Sequence, residues 1–455
     1  MPSTSAPSGL ASAFARELAR AAAELLAPEI RREAERSLLN VLGLAVGAAR
    51  HEGVDAILAA ARVLGGTPSA AIPGRAERAD AHFAALASGF AAHVDDFDDT
   101  HLVTVIHPGA AVLAVLVALA PSTAASGSRA LSAFALGCEA QLRLGVAISP
   151  EHYDRGWHIT GTCGVVGAAV AAALLLGYDE TGLAHAIRLA STMALGHREA
   201  FGTMTKAFHP GKAAANGIDA ALLARTSIDA PSAILEAPGG FADALSTRAD
   251  FGPLLADIGT RWELAANTYK PYPCGIVAHP SIDAALALAP DAAAQMIAAV
   301  SVRVHPLVPE LMGNPDPTDG LQARFSAIHG VAAALCDGRV GLAQYETERV
   351  RRDDVRAVRA KTTLLPDPAI ARDEALLELR LADGTALREH VVHARGSLAR
   401  PLTDEELLDK VRLLVEPVLG AGAERRLAEG VRALSGGLPL QTLFERTLPE
   451  HATHA

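Results

Sequence analysis

Four times along the chain, a basic residue stands just before a Gly or Pro step and a run of small, apolar residues. The runs begin at His107 (HPGAAVLAVLVAL), His158 (HITGTCGVVGAAVAAALLLG), Lys206 (KAFHPGKAAANGIDAALLA) and Lys270 (KPYPCGIVAHPSIDAALALA). Runs of this length and composition are typical of buried helices. A helix N-terminus presents unpaired N–H groups and the positive end of the helix dipole, so a basic side chain beside it favours a carboxylate or phosphate. The pattern predicts a helical core and a small polyanionic ligand.

The length of the chain sets the expected number of domains. At 455 residues and 47.0 kDa, it exceeds the roughly 250–300 residues at which a single hydrophobic core stops growing, so two domains are predicted. The longest apolar stretches, 109–121 and 161–177, are shorter than the roughly 20 residues of a transmembrane helix and are rich in Gly and Ala. They predict buried helices and no membrane partner.

Charge and cysteine content narrow the partners and the compartment. The formal net charge is −11 and no segment is rich in Lys or Arg, so binding to nucleic acid or to an anionic membrane is not expected. The four cysteines are far apart and form no CxxC pair, which argues against a zinc site or a disulfide framework. Because the first twenty residues lack the charged and apolar regions of a secretory signal, we expect a cytoplasmic protein.

The spacing of apolar residues predicts helices up to about residue 265. Phe83, Leu86, Phe90 and Val94 have near-helical spacing and lead directly into the acidic string 95–99. We therefore expect this string at the end of a helix.

Strand patterns begin near residue 298. Apolar and polar residues alternate from Val300 to Val304 and again from Leu377 to Leu381, as in half-buried strands, and Asp383-Gly384 supplies a hairpin turn. After residue 400 helical patterns return, and Thr403 with Glu406 has the spacing of a capping box.

These patterns predict a mainly α protein. An all-helical domain of residues 1–268 and 401–455 would carry an inserted α+β lid domain of residues 269–400, with the returning helices packed on the first domain. A cleft between two domains is the usual place for a small-molecule site.

The acidic string DDFDDTH begins at Asp95. Asp95, Asp98 and Asp99 are predicted to form a solvent-exposed cluster, whereas Asp96, close to imidazoles, is a candidate general base or a residue that fixes a histidine tautomer. The string also matches the DDxxD motif with which all-α prenyl-transfer and terpene-cyclising enzymes bind magnesium. That alternative requires a second acidic motif and an aromatic pocket. The chain has no such motif and is only 4% aromatic, so no metal is predicted.

Candidate functional side chains stand at the apolar runs. His107, His158 and His209 each precede a helical pattern, where a histidine is either a local hydrogen-bonding residue or an acid–base group. Lys206 and Lys270 lie among small and apolar residues. Because lysine is seldom buried without a partner or a function, both are predicted to be functional.

Six motifs in this order resemble the MmgE/PrpD family: HVDDFDDTH, the HPG that follows, RGWHITGTCGVVGAA, GTMTKAFHPGKAAANG, KPYPCGIVAHPSIDA and PLTDEELLDKV. The resemblance spans about residues 10–440. It implies a helical domain with an α+β lid, a homodimer, and an enzyme that acts on small di- or tricarboxylic acids without a metal or organic cofactor.

The resemblance also implies a set of site residues. Matched by motif position, the catalytic residues would be Asp96, His107, His158 and Lys206, and the substrate-binding residues would be Thr100, Lys270, His279 and His329. Two positions depart from the family's decarboxylase: Gly275 stands where that enzyme has a histidine, and His329 where it has a tyrosine. These differences argue against decarboxylation of cis-aconitate in particular.

The implied chemistry is proton abstraction next to a carboxylate. Lys206, Lys270 and the helix N-termini would stabilise the enolate-like charge, and His107 or His158, steadied by Asp96, would transfer the proton. The predicted outcome is elimination of water, as in a 2-methylcitrate dehydratase-like lyase. An epimerase of an iminodisuccinate-like diacid, a decarboxylase, and a non-catalytic polycarboxylate-binding protein are the alternatives.

Overall fold

The structure is a computed structural model that describes residues 9–292 and 297–449. Helices dominate it, which confirms the predicted mainly α class. The helices before residue 256 are α1 (Leu10–Ala22), α2 (Pro28–Gly47), α3 (Glu52–Leu64), α4 (Ala81–His93), α5 (Pro108–Leu119), α6 (Gly127–Ile148), α7 (Glu151–Asp154), α8 (Ile159–Thr162), α9 (Gly164–Leu175), α10 (Glu180–Ser191), α11 (Met204–Leu223), α12 (Phe241–Leu245) and α13 (Gly252–Leu255).

Two of the apolar runs form the centre of this helical body. Every residue of α5 and every residue of α9 is buried, which explains why neither sequence has a polar face. Small residues also let helices approach at the backbone. A Cβ atom on Gly211 of α11 would lie 2.3 Å from the carbonyl oxygen of Leu86 in α4, so only glycine permits this distance. The close approach brings the first turn of α11 beside the end of α4.

Helix α6 is long and apolar enough, by length and composition, to cross a membrane, but 89% of its most apolar window is buried inside the protein. It contacts α9, α5 and α2. Such burial is expected of the central helix of a packed core.

Two small antiparallel sheets lie in the body. Strands β1 (Ala70–Ala71) and β2 (Arg78–Ala79) form one of them. In the other, β3 (Asp99–His101) pairs with β4 (Asn267–Tyr269), and Thr100 lies opposite Thr268. This second pair joins the acidic string to the segment that leads to Lys270, although the two are far apart in sequence.

Between residues 279 and 391 the chain forms a mixed sheet covered by helices. The helices are α14 (His279–Leu288), α15 (Leu307–Met312), α16 (Gly320–Ala323), α17 (Ala327–Asp337), α18 (Thr347–Val350) and α19 (Asp353–Arg359), and the strands are β5 (Ile297–Val304), β6 (Thr362–Pro366), β7 (Ala375–Leu381) and β8 (Ala386–Val391). The strand order is β6-β5-β7-β8, with β5 and β6 parallel and the other pairs antiparallel. The predicted strands at Val300–Val304 and Leu377–Leu381, and the hairpin after them, are confirmed.

The chain then returns to the body with α20 (Asp404–Leu419), α21 (Ala423–Ser435) and α22 (Leu440–Glu445). Helix α20 begins with the predicted capping box, in which Thr403 Oγ1 accepts from the Glu406 N–H and the Glu406 side chain accepts from the Thr403 N–H. These helices share one hydrophobic cluster with the N-terminal helices, and residues 272–391 form another. We propose that the two clusters are the cores of the two domains. We call residues 1–268 with 401–455 the body and residues 269–400 the lid.

Candidate active site

The carboxylates of the acidic string after α4 point in different directions. Asp95 pairs with Arg324 of the lid, with Oδ1 2.8 Å from Nη2. Asp96 has a positive φ of 49°, a conformation that aspartate tolerates better than most residues, and its side chain points into a cavity between body and lid. Asp98 and Asp99 are completely buried. The expected solvent-exposed cluster of Asp95, Asp98 and Asp99 is therefore wrong, because their partners lie inside the protein.

Asp99 occupies the N-terminus of α5. Its Oδ1 lies 3.3 Å from the Gly109 amide nitrogen, and its Oδ2 accepts from Ser37 Oγ at 2.6 Å and from Asn267 Nδ2 at 2.7 Å. Burial raises the pKa of Asp99 to about 6. Since the protein supplies its own carboxyl group here, this helix N-terminus does not act as the anion receptor that the sequence suggested.

Asp96 lies between two buried ammonium groups. Lys206 Nζ is 2.6 Å from its Oδ1, and Lys270 Nζ is 3.2 Å from its Oδ2 and 2.9 Å from its carbonyl oxygen. Burial alone would raise the pKa of Asp96, but Lys206 and Lys270 together hold it below its usual range. Asp96 does not contact a histidine through its carboxylate in the described contacts, so it does not hold a histidine tautomer as we predicted. It positions the two lysines.

Lys206 lies inside the first turn of α11 and not before the helix, which begins at Met204 after the cap by Thr203. The predicted boundary was therefore late. Burial lowers the pKa of Lys206, while Asp96 opposes that change. The lysine is 6% exposed and faces the cavity.

The carboxylate that contacts histidines is Asp98. Its Oδ2 accepts from His93 Nδ1 at 2.6 Å, and its Oδ1 lies 3.0 Å from His107 Nδ1. The His107 Nδ1 also lies 3.1 Å from the Asp99 carbonyl oxygen, which can only accept. The proton of neutral His107 therefore belongs on Nδ1, which leaves the Nε2 lone pair as a base.

Burial decides the charge of these groups. It lowers the pKa of His93 to about 4 and also lowers the pKa of His107. Burial would raise the pKa of Asp98, but the neighbouring His107 and His93 hold it well below its usual range. At neutral pH the cluster is thus one carboxylate with two neutral imidazoles, and His107 is in the form that accepts a proton.

His158 belongs to a second imidazole pair. Its Nδ1 lies 2.8 Å from His209 Nδ1, so one ring donates its proton to the other. Burial lowers the pKa of His158 well below its usual value, and the charge of Lys206 adds to this effect. The position of the shared proton decides whether His158 Nε2 is an acceptor or a donor. His158, unlike His209, lines the cavity.

The structure brings six of the eight predicted site residues to the cavity wall: Asp96, Thr100, His107, His158, Lys206 and Lys270. Thr100 Oγ1 lies 3.2 Å from His107 Nδ1. The other two residues are buried in the lid. His279 Nε2 lies 3.3 Å from the Cys274 carbonyl oxygen, and His329 Nε2 lies 2.9 Å from the Gln344 carbonyl oxygen. Neither lines the cavity, since each lies in the first turn of a helix that packs within the lid core.

Four functional candidates were not predicted from sequence. Asp98 was assigned to the surface and His209 was left undecided. His93 and Lys410 lie within the motifs HVDDFDDTH and PLTDEELLDKV but were given no role. Lys410 Nζ donates to the Phe97 carbonyl oxygen at 2.6 Å and to the Lys270 carbonyl oxygen at 3.0 Å, and burial lowers its pKa to about 7. It ties α20 to both cavity segments. For His93, two residues before the acidic string, and for Lys410, the motif itself was the signal in the sequence.

Among the described residues, His93, Asp98 and His107 offer three potential metal ligands within 4.8 Å of one another. Their contacts have hydrogen-bond lengths, and Lys206 Nζ lies 2.9 Å from the remaining nitrogen of His93. A divalent cation would have to displace the Nδ1 protons next to an ammonium group. This arrangement favours protons over a metal ion.

The family of the chain follows from comparison with known proteins. Residues 12–254 match the MmgE/PrpD N-terminal domain, and residues 272–435 match the MmgE/PrpD C-terminal domain. The chain is 29% identical to cis-aconitate decarboxylase of Mus musculus over 405 residues, which cover 84% of this chain and 81% of that protein. It is also 29% identical to 2-methylcitrate dehydratase of Cupriavidus necator over 212 residues, 41% of this chain and 42% of that protein. This chain therefore belongs to the MmgE/PrpD family.

Proposed function

We propose that the protein is an enzyme that removes a proton next to a carboxylate of a small carboxylic acid and eliminates water, as a cofactor-independent hydro-lyase. One observation carries the proposal: the neutral imidazole of His107 lines the same buried cavity as the ammonium groups of Lys206 and Lys270. A base and two cations are what carbon-acid chemistry requires. The relatives named for a decarboxylase and a dehydratase support an enzyme of the lyase type.

In this mechanism the ammonium groups bind a substrate carboxylate and stabilise the negative charge that grows when the adjacent C–H bond ionises. His107 Nε2 takes the proton. The electron pair forms the carbon–carbon double bond as the hydroxyl group on the next carbon leaves, and a proton donated to that group completes a water molecule. His158 is the proposed donor. It carries its proton on Nε2 when His209 Nδ1 donates the hydrogen bond that joins the two rings to His158 Nδ1.

Epimerisation is the second candidate, because His107 and His158 both line the cavity and could serve opposite faces of one carbon. Both reactions begin with the same proton abstraction. Decarboxylation requires no initial proton loss, so exchange of the α-proton separates it from the other two.

The test is incubation with a panel of citrate-like, malate-like and aspartate-derived acids in deuterated water, followed by NMR. Formation of an alkene supports the hydro-lyase, and deuterium exchange with inversion supports the epimerase. Absence of exchange and of product with every acid would refute the proposal. Activity that survives dialysis against EDTA is expected from a metal-independent enzyme.

We also propose that the protein is a homodimer, as its resemblance to the family implies, and that it is cytoplasmic, as its scattered cysteines suggest. Light scattering coupled to size-exclusion chromatography tests the dimer. Its partner would be a small carboxylate substrate and not nucleic acid, as the net charge of −11 suggests.

A further inference from the structure

The cavity has two chemically different sides. The body side holds the acid–base groups and the ammonium group of Lys206. The lid side, apart from Lys270, is formed by residues without charged or polar side chains: Gly275, Ile276, Val277, Leu311, Met312 and Phe325. Phe201 and Val105 of the body extend this apolar surface. A ligand that fills the cavity therefore contacts both the ammonium groups and a hydrocarbon surface, and Lys206 Nζ lies 5.5 and 5.4 Å from the ring centres of Phe201 and Phe325.

The charge of the site limits how many carboxylates it can neutralise. Lys206 and Lys270 share the single carboxylate of Asp96, which leaves one positive charge at the wall. Asp98, directly behind His107, adds a further negative charge to the buried cluster. A second carboxylate would meet only the neutral side chains of Thr100, Tyr153 and His158, which also line the cavity. A third would be buried against hydrocarbon without a partner, which is unfavourable.

Gly275 and Met312 together shape the apolar side. A Cβ atom on Gly275 would lie 2.2 Å from Met312 Sδ and 3.1 Å from its Cε, so the methionine side chain lies directly against the backbone of residue 275. Met312 is 1% exposed. Its flexible, polarisable thioether suits an aliphatic group of a ligand.

We propose that the substrate is an acid with no more than two carboxylates and with an aliphatic substituent, and that Met312 determines this specificity. The inference rests on the proposed function. One carboxylate lies at Lys206 and Lys270, where the proton is removed beside it, and the aliphatic group lies against Ile276, Leu311 and Met312.

The decisive comparison is between citrate and 2-isobutylmalate, in which an isobutyl group replaces a carboxymethyl group of nearly the same shape. Both acids can lose water to give an alkene. We expect kcat/KM to be at least about tenfold higher for 2-isobutylmalate, a difference of about 1.4 kcal/mol. Equal or faster turnover of citrate would overturn the inference and leave the proposed function intact.

Unreactive analogues separate the two proposals when neither acid reacts. Tricarballylate and 2-isobutylsuccinate differ by the same replacement, and calorimetry measures their binding to the wild-type protein. Tighter binding of 2-isobutylsuccinate supports the substrate class even where the reaction is absent. Tighter binding of tricarballylate, or no binding of either acid, contradicts it.

A variant tests the role of Met312. Met312→Lys places a cation in the apolar wall, so the preference for 2-isobutylmalate over citrate should fall at least about tenfold. Because a buried lysine also disturbs folding, Met312→Gln is measured beside it and should reduce the same preference. Leu413→Lys, at a side chain on α20 that is 70% exposed, is the matched control and should leave the preference unchanged. An unchanged preference in a folded Met312→Gln protein would rule out Met312 as the determinant.

Discussion

At the level of single residues, the pairing of Lys206 and Lys270 with one carboxylate explains how two lysines can be buried side by side. Asp96 takes one ammonium group on each oxygen. Without it, two like charges would be buried together, which proteins avoid. Asp96 therefore positions the two ammonium groups, which we propose bind the substrate carboxylate.

Replacement of Lys206 by Met should reduce kcat/KM by roughly 10²–10³-fold or more, because it removes a cation aimed at the developing negative charge. Lys212→Met is the control, since Lys212 lies on the same helix but does not line the cavity. Steady-state kinetics and circular dichroism on both variants check this prediction. Similar activities in the two folded variants would remove Lys206 from the mechanism.

Asp98→Asn should lower kcat by roughly 10²–10⁴-fold, since the amide can no longer accept from both His93 and His107 and orient the base. The charge of Asp98 raises the pKa of His107 against the larger effect of burial. Its loss should therefore move the acid limb of the kcat/KM profile, where the base becomes protonated, to lower pH. An acid limb at the wild-type pH would show that His107 is not the base. The pH profile distinguishes this effect from simple loss of structure.

At the level of elements, the site depends on how closely α4 and α11 pack. Gly89 and Gly211 face each other, and a Cβ atom on Gly89 would lie 2.6 Å from the Gly211 Cα. The contact sets the distance between Asp96, which follows α4, and Lys206, in the first turn of α11. Helix propensity alone would favour alanine at both positions.

Gly211→Ala should therefore destabilise the protein by about 1–3 kcal/mol, because the added methyl group meets backbone atoms that cannot rotate away. The unfolding midpoint in urea measures the change. Gly164→Ala in α9 is the control, since its Cβ would find no atom nearer than 3.5 Å. Equal stability of both variants would mean that α4 and α11 can separate without cost.

At the level of the whole molecule, Arg324 holds the lid on the body. Its guanidinium donates to the Asp95 side chain at 2.8 Å and to the Pro273 carbonyl oxygen at 3.2 Å, and it also contacts the Asp95 carbonyl oxygen. Arg324 is 8% exposed. A buried guanidinium that loses some of its hydrogen-bond partners is unfavourable. These contacts should therefore favour the arrangement in which the lid stays in contact with the body.

Arg324→Gln should raise KM and lower kcat/KM by about tenfold or more, because the apolar wall of the cavity is no longer held against the lysines. Limited proteolysis should also become faster between body and lid. Arg303→Gln is the control, because it removes an ion pair within the lid, in which Arg303 Nη1 lies 3.8 Å from Asp367 Oδ2. It should change neither quantity. Unchanged kinetics in Arg324→Gln would contradict a clamping role.

Local patterns were enough to predict much of the molecule. The helix that leads into the acidic string, the alternating strands, the hairpin and the capping box at Thr403 each depend on residues close together in sequence, and the structure has all of them. The resemblance to the family, carried by ordered motifs, was confirmed as well.

The sequence alone determined the mainly α class, the strands β5 and β7 with the hairpin that follows, and the family of the chain, because periodicity and motifs are local properties. The short strands β1 to β4 and strand β6 were not predicted. Only the tertiary structure decided which carboxylate serves which base. Asp96 and Asp98 are two positions apart, yet the left-handed turn at Asp96 directs one to the lysines and the other to His93 and His107. The tertiary structure also placed His279 and His329 behind the cavity wall. Lys206 and Lys270 lie more than 100 residues along the chain from Asp96. The contacts of Asp98 with His93 and His107 are local in sequence, but they depend on the direction that the backbone takes after α4, which no periodicity encodes.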